Sequence, residues 1–237
     1  MARGKTLLSL LDDFRREARL STNPANNHQV RDAQVGLLQR TQQWLYEDFY
    51  WPHLEIQRMY PADAGQRFYD FNQDFDISRI VRIEFKTDGE WIPLIHGIGA
   101  AQYAEFDSDL DERSWPVRRW RLYEDEQIEV WPIPENVPDP STLDGYLRVT
   151  GIKRLPPLVD DDDRAVLDNR LIVLYAAGEY LLDTNKDRAQ LLLQLAQKHY
   201  ARIRGGLMPG GPINVFGVNA ARSPRRHIVP YYRPAGS

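Results

Sequence analysis

Apolar residues near the start of the chain recur at helical spacing. One face of the predicted helix carries Leu7, Leu10, Leu11, Phe14 and Ala18. Steps of three and four residues place these side chains on a single stripe that can face a core. Thr6 stands where a hydroxyl accepts a hydrogen bond from the first helical turn, and the turn-forming residues 21–27 end the helix.

A second helix is predicted for residues 29–49. Its apolar stripe consists of Val30, Ala33, Leu37, Thr41, Trp44 and Leu45. Pro52 ends this helix because proline lacks the backbone N–H that a helix interior needs.

The central part of the chain alternates apolar and polar residues with the period of a β-strand. The predicted strands are 54–60, 66–70, 80–86, 90–94, 118–123, 127–131 and 146–153. The pair Asp88-Gly89 joins the third and fourth strands and is a strong hairpin signal. Short alternating strands separated by Pro and Gly predict a small antiparallel sandwich or barrel.

Helical spacing returns after Pro156-Pro157. The third helix carries Leu167, Leu171, Leu174, Tyr175, Gly178, Leu181 and Leu182, and the fourth carries Ala189, Leu192, Leu193, Ala196, Tyr200 and Ile203. The turn between them is short, which favours antiparallel packing. Asp160–Asp163 are predicted to cap the third helix, with a divalent cation site as the alternative. Gly205-Gly206 are predicted to end the fourth helix.

These elements predict an α+β fold. The expected architecture is an antiparallel four-helix bundle with a small antiparallel β domain inserted between helices 2 and 3, followed by an extended C-terminal arm. The predicted boundaries are 1–51 for the first half of the bundle, 52–157 for the β domain, 158–204 for the second half and 205–237 for the arm.

The C-terminal arm (residues 205–237) differs in composition from the rest of the chain. It holds 6 Gly, 5 Pro and four Arg, and it contains no Asp or Glu. The arm is therefore basic, whereas the remaining residues carry the acidic excess of a chain whose net charge is −4. Because the arm also contains Ile, Val, Phe and Tyr, we interpret it as a segment that becomes ordered on a partner.

Composition argues against several kinds of chemistry. The chain has no Cys, so disulfides, thiolate metal sites and cysteine nucleophiles are excluded, which fits a reducing compartment. Its five His are scattered, and neither a membrane-length apolar run nor a signal peptide is expected. Asp107–Asp111 begins like a calcium loop, but Glu112 and Arg118 occupy positions that such a loop gives to Gly and Glu. We expect no metal and no cofactor.

Aromatic and basic residues alternate in residues 115–121. This pattern is compatible with stacking on single-stranded nucleic acid. The favoured interpretation is a β-strand in which Trp120 is buried and the arginines pair with acids at 124–126 or with Glu129.

Several stretches together resemble the tailed-bacteriophage head-to-tail adaptor family. They are LLSLLDDFRREAR at 7–19, VRDAQ at 30–34, DLDERSWP at 109–116, EDEQIEVWP at 124–132 and DNRLIVLYAA at 168–177. The resemblance covers residues 6–204 and implies a virion protein at the head-tail junction, present in the host cytoplasm before assembly. It implies a ring, commonly of twelve subunits, that lies under the portal protein and receives a tail tube or nozzle protein. DNA would pass through its lumen without specific binding.

The resemblance also implies that the arm reaches the portal. The candidate portal-binding residues are Arg222, Arg225, Arg226, Ile228, Val229, Tyr231 and Tyr232. The protein is expected not to be an enzyme. The alternatives are a virion-associated cell-wall hydrolase, using carboxylates such as Glu124 and Glu126, and a nucleic-acid-binding protein that uses the basic arm.

Overall fold

The computed structural model describes residues 3–23, 30–107, 110–124 and 127–207. Within these ranges the helices are α1 Leu7–Glu17, α2 Arg31–Asp48, α3 Ala100–Glu105, α4 Asn169–Leu181 and α5 Lys186–Leu207. None of these helices is long and apolar enough to cross a membrane.

The predicted antiparallel four-helix bundle is wrong. Helix α4 occupies the centre of the helical layer, and α1, α2 and α5 all pack on it, while α1 and α2 barely contact each other. The sequence of α4 explains this arrangement, because buried residues lie on every side of the helix, from Leu171 to Leu181. In a bundle each helix keeps an exposed polar stripe, whereas a helix that is apolar all round belongs inside.

Helix α1 begins after Thr6 as predicted, and its first backbone N–H groups have additional hydrogen-bond acceptors. The Thr6 hydroxyl accepts a hydrogen bond from the Ser9 N–H at 3.3 Å. The N–H groups of Leu7 and Leu8 donate to the carbonyl oxygens of Asp163 and Asp161, at 2.8 and 3.2 Å.

The prediction that Asp160–Asp163 cap the third helix is wrong. The N-cap of α4 is Asp168, whose buried carboxylate accepts from the Leu171 N–H at 3.0 Å. The backbone carbonyl groups of this acidic stretch instead accept hydrogen bonds from the first N–H groups of α1. These hydrogen bonds place the start of α1 beside the segment that precedes α4.

The β region consists of two four-stranded sheets. Its strands are β1 Glu55–Pro61, β2 Phe68–Asp70, β3 Phe75–Thr87, β4 Glu90–Pro93, β5 Ile95–His96, β6 Arg119–Tyr123, β7 Gln127–Trp131 and β8 Tyr146–Lys153. The first sheet has the order β1-β8-β3-β4 and the second the order β2-β7-β6-β5. The pairing is antiparallel except between β5 and β6, which run parallel, so an all-antiparallel domain is a second error in the prediction.

The two sheets share one apolar core. Phe85 and Val149 from the first sheet lie in the same buried cluster as Ile128 and Val130 from the second. The β3–β4 hairpin turns at Asp88-Gly89, as predicted, and both residues have the positive φ that this tight turn requires. Strand β5 and helix α3 have too little periodic sequence to be predicted, and they lie between the hairpin and β6.

The last helix is longer than predicted. Helix α5 continues through Gly205-Gly206 and ends at Leu207. Residues 208–237, which form the rest of the C-terminal arm, lie outside the described residues.

Candidate functional site

The final turns of α5 are fastened to the end of α2. The hydroxyl of Tyr200 donates to the carboxylate of Asp48 at 2.5 Å, and Arg204 reaches the same carboxylate at 3.5 Å. The Arg204 guanidinium also lies 5.3 Å from the ring centres of Phe49 and Tyr200. These contacts fix the position from which the C-terminal arm leaves the body.

The environment of Tyr200 keeps its hydroxyl protonated. Burial raises the pKa of this phenol, and the hydrogen bond and negative charge of Asp48 raise it further. The hydroxyl therefore remains a donor throughout the pH range in which the protein is handled.

Trp44 separates two depressions on the surface beside this fastening. Its side chain is 45% exposed, although it meets Tyr175 edge-on with 5.1 Å between ring centres and lies 6.4 Å from the ring of Tyr200. On one side, residues 155–158 and α2 enclose about 530 Å³. On the other side lies the Trp44 groove, a space of about 410 Å³ lined by Arg40, Thr41, Trp44, Tyr175, Glu179, Leu182 and Leu193.

The Trp44 groove is mainly apolar and electrically balanced. Its two charged side chains, Arg40 and Glu179, pair across it at 3.3 Å. Leu182 is exposed, and Leu193 is partly exposed. An aromatic, apolar concavity of this kind suits an apolar peptide segment better than an ion.

The apolar stripe predicted for α2 is only partly correct, and the prediction did not identify the Trp44 groove. Leu37, Thr41 and Leu45 are buried, but Val30, Ala33 and Trp44 are exposed. The buried face is rotated toward Leu38 and Tyr46. In the sequence, Trp44 stands at the margin of a helical apolar stripe. A Trp in this position is equally typical of core packing and of an exposed residue that anchors a partner.

The seven predicted portal-binding residues, from Arg222 to Tyr232, lie outside the described residues. The structure therefore positions the helix end that precedes them, but not the residues themselves. Their role stays a prediction.

The favoured interpretation of the basic-aromatic stretch at 115–121 is confirmed in part. Trp120 is buried, and Arg121 pairs with Glu129 on the neighbouring strand β7. Arg119 donates to the Gly97 carbonyl at 3.3 Å. Arg118, in contrast, is exposed.

Glu129 is the centre of the most connected polar cluster in the β region. Its carboxylate is fully buried and accepts from Arg121, from Arg67 at 2.8 Å and from the Tyr103 hydroxyl at 2.7 Å. Burial alone would raise the pKa of Glu129, but these three hydrogen bonds outweigh it and hold the pKa below its ordinary value. A carboxylate kept ionised in this way joins strands and loops and is unsuited to act as a general acid.

The calcium-like loop at 107–111 and the carboxylates Glu124 and Glu126 of the hydrolase alternative are only partly covered by the described residues. Asp111 is held by Arg113 through contacts of 2.9 and 2.6 Å, while residues 108–109 and 125–126, including Glu126, lie outside the described ranges. Glu124 is exposed. Across the described part of the chain, no group of three or more His, Asp or Glu is arranged to hold a metal ion.

Comparison with known proteins confirms the resemblance seen in the sequence. No curated protein matches the chain. A model of the SU10 adaptor protein family matches residues 5–215, which include all five helices and both sheets. Adaptors of this kind are structural rather than catalytic proteins of the virion, placed at the head-tail junction, where they contact other virion proteins such as portal and tail. Because the match covers most of its length, the chain belongs to the SU10 adaptor protein family, a family of phage head-to-tail adaptors.

Proposed function

We propose that this adaptor forms a ring under the portal, commonly of twelve subunits, and binds the portal through its C-terminal arm. The tail tube or nozzle protein binds the opposite side of the ring, and DNA passes through the lumen. Before assembly the subunit is present in the host cytoplasm.

The observation that carries this proposal is the fastening of α5 to α2 by Asp48. A helix of 22 residues spans about 33 Å, and its far end is held in place by Tyr200 and Arg204. The 30 residues that follow Leu207 therefore start from a defined point on the body. A rigid base reduces the conformational entropy that an arm loses when it binds.

The composition of the distal arm (residues 222–237) supports a protein partner. Arg and Tyr are the residues that most often dominate binding energy at interfaces, commonly at about 2 kcal/mol or more each. The arm combines Arg225 and Arg226 with Tyr231 and Tyr232 within eight residues. A mixture of this kind fits a groove on a protein better than a phosphate backbone alone.

Charge distribution supports a conduit for DNA. The four Arg of the arm leave the rest of the chain with an acidic excess of −8. A lumen lined by this acidic body would not retain the phosphates that pass through it. An electrostatic map of the assembled ring tests this point, and a basic lumen would contradict it.

A truncation after Leu207 tests portal binding. The shortened chain should keep the circular dichroism of the full chain, because the helix fastening to Asp48 is retained. It should no longer co-purify with the cognate portal protein. The matched control removes only residues 234–237, which include none of the candidate contacts.

Comparison of the two truncations shows whether the arm or the body binds the portal. Loss of portal binding in the longer truncation alone supports the proposal. Unimpaired co-purification of a folded chain ending at Leu207 would refute it.

A further inference from the structure

The Trp44 groove lies within reach of a chain segment that follows the last helix. Leu193, which lines the groove, precedes the helix end at Leu207 by 14 residues, or about 21 Å along the axis. The eleven residues 208–218 extend up to about 35 Å, which is enough for a reversal of direction and a return along α5.

The sequence places turn chemistry where the reversal is needed. Pro209, Gly210, Gly211 and Pro212 follow the helix almost at once, and these residue types favour tight turns. The apolar residues Ile213, Val215, Phe216 and Val218 come next.

Charge distinguishes this segment from the rest of the arm. Residues 208–221 contain no charged side chain, and the first Arg is Arg222. The groove likewise has no net charge, because Arg40 and Glu179 pair with each other. The basic distal arm matches the groove less well than this neutral, apolar stretch does.

Pro-punctuated apolar segments are typical occupants of aromatic-lined grooves. Trp44 and Tyr175 provide such a surface, and the exposed indole leaves apolar area available to an occupant. The family match ends at residue 215, so it includes Ile213 and Val215 with the body of the protein and leaves out Arg222 and the residues after it.

We propose that residues 212–218 of the arm dock in the Trp44 groove of their own chain. The short connection to α5 gives the segment a high effective concentration at this groove, which favours it over the same segment of another copy. Docking sets the direction in which the distal arm leaves the body, and it is independent of what that distal arm binds.

Cysteine cross-linking of the full chain tests this docking without background, because the natural sequence has no Cys. The test variant combines Leu193→Cys, on the groove, with Val218→Cys. The matched control combines Leu195→Cys with Val218→Cys. Leu195 is exposed on α5 at a similar distance from Leu207, but it does not line the groove.

Docking predicts an intramolecular disulfide that forms at least about tenfold faster in the test pair than in the control pair. Equal rates in the two pairs would overturn the proposal. A cross-linked dimer as the main product of the test pair would also overturn it, because the occupant would then be the segment of a second copy.

Fluorescence provides a second measurement, in which the substitutions under test lie in the docking segment. The double change Ile213→Ser and Phe216→Ser should raise the acrylamide quenching of Trp44 at least about twofold. The contribution of Trp44 is obtained by difference from chains that carry Trp44→Phe. Unchanged quenching would contradict docking.

Discussion

Replacement of Tyr200 by Phe removes one oxygen atom from the fastening between α5 and α2. The lost contact is the 2.5 Å hydrogen bond from the phenol to the carboxylate of Asp48. Hydrogen bonds to charged groups contribute about 1.5–3 kcal/mol to stability. Because the Asp48 side chain is 38% exposed, water replaces part of the bond, so we expect about 1.5 kcal/mol.

This loss should be concentrated in the last turns of α5. A change of about 1.4 kcal/mol is a factor of ten in an equilibrium constant, so amide hydrogen exchange in residues 200–207 should become about tenfold faster. The thermal midpoint should fall by about 3–6 °C for a chain of this size. Hydrogen exchange followed by mass spectrometry measures the local effect, and calorimetry measures the global effect.

Tyr50→Phe is the matched control. Tyr50 also donates its hydroxyl to a carboxylate, that of Glu55, but both side chains are exposed. Surface pairs contribute little, so exchange in residues 200–207 should not change. If Tyr200→Phe left exchange in the same residues unchanged, the claim that Asp48 fixes the base of the arm would be refuted.

Two further substitutions test the β region. Glu129→Gln should destabilise the protein by about 3 kcal/mol near pH 7, because two arginines lose their buried partner, whereas the exposed Glu124→Gln should have almost no effect in denaturant unfolding. Gly145→Ala should cost about 2–4 kcal/mol, because the residue has a φ of +80° and a Cβ would lie 2.9 Å from Trp115. Gly89→Ala has a similar φ and open space, so it should cost only about 1–2 kcal/mol.

Unfolding measured at acidic pH should reveal the contribution of the Glu129 cluster to stability. Its pKa is lowered in the folded protein, so its contribution is fully present above the ordinary carboxyl value of about 4.3. That contribution is lost as the pH falls through the lowered value. The natural protein should therefore lose stability more steeply than Glu129→Gln below about pH 4.3, and parallel curves would contradict this assignment.

The helices were predictable because their signals are local. The apolar period of α1 and the Thr6 cap are both present in the sequence and both appear in the structure. Their arrangement was predicted wrongly, because four helices were assumed to share the burial equally. The continuous apolar run from Leu171 to Ala177 already indicated a central helix, surrounded by the others.

The pairing of the strands could not be predicted from local sequence patterns. Strand β1 alternates exposed and half-buried residues, and β7 and β8 have the predicted bounds, although most residues of β7 and β8 are buried on both faces. The pairing of β1 with β8 joins residues about 90 positions apart, as in Ile56 with Gly151, and no local pattern specifies such a partner. The Trp44 groove was missed for a related reason, since it is formed by α2, α4 and α5 together.

The most direct test of the adaptor account is the mass of the purified protein by light scattering, alone and mixed with its cognate portal. If the adaptor forms a portal-binding ring, the mixture should contain a complex as large as a ring of adaptors on the portal. A protein whose mass is unchanged by the portal would contradict the proposed portal-binding ring.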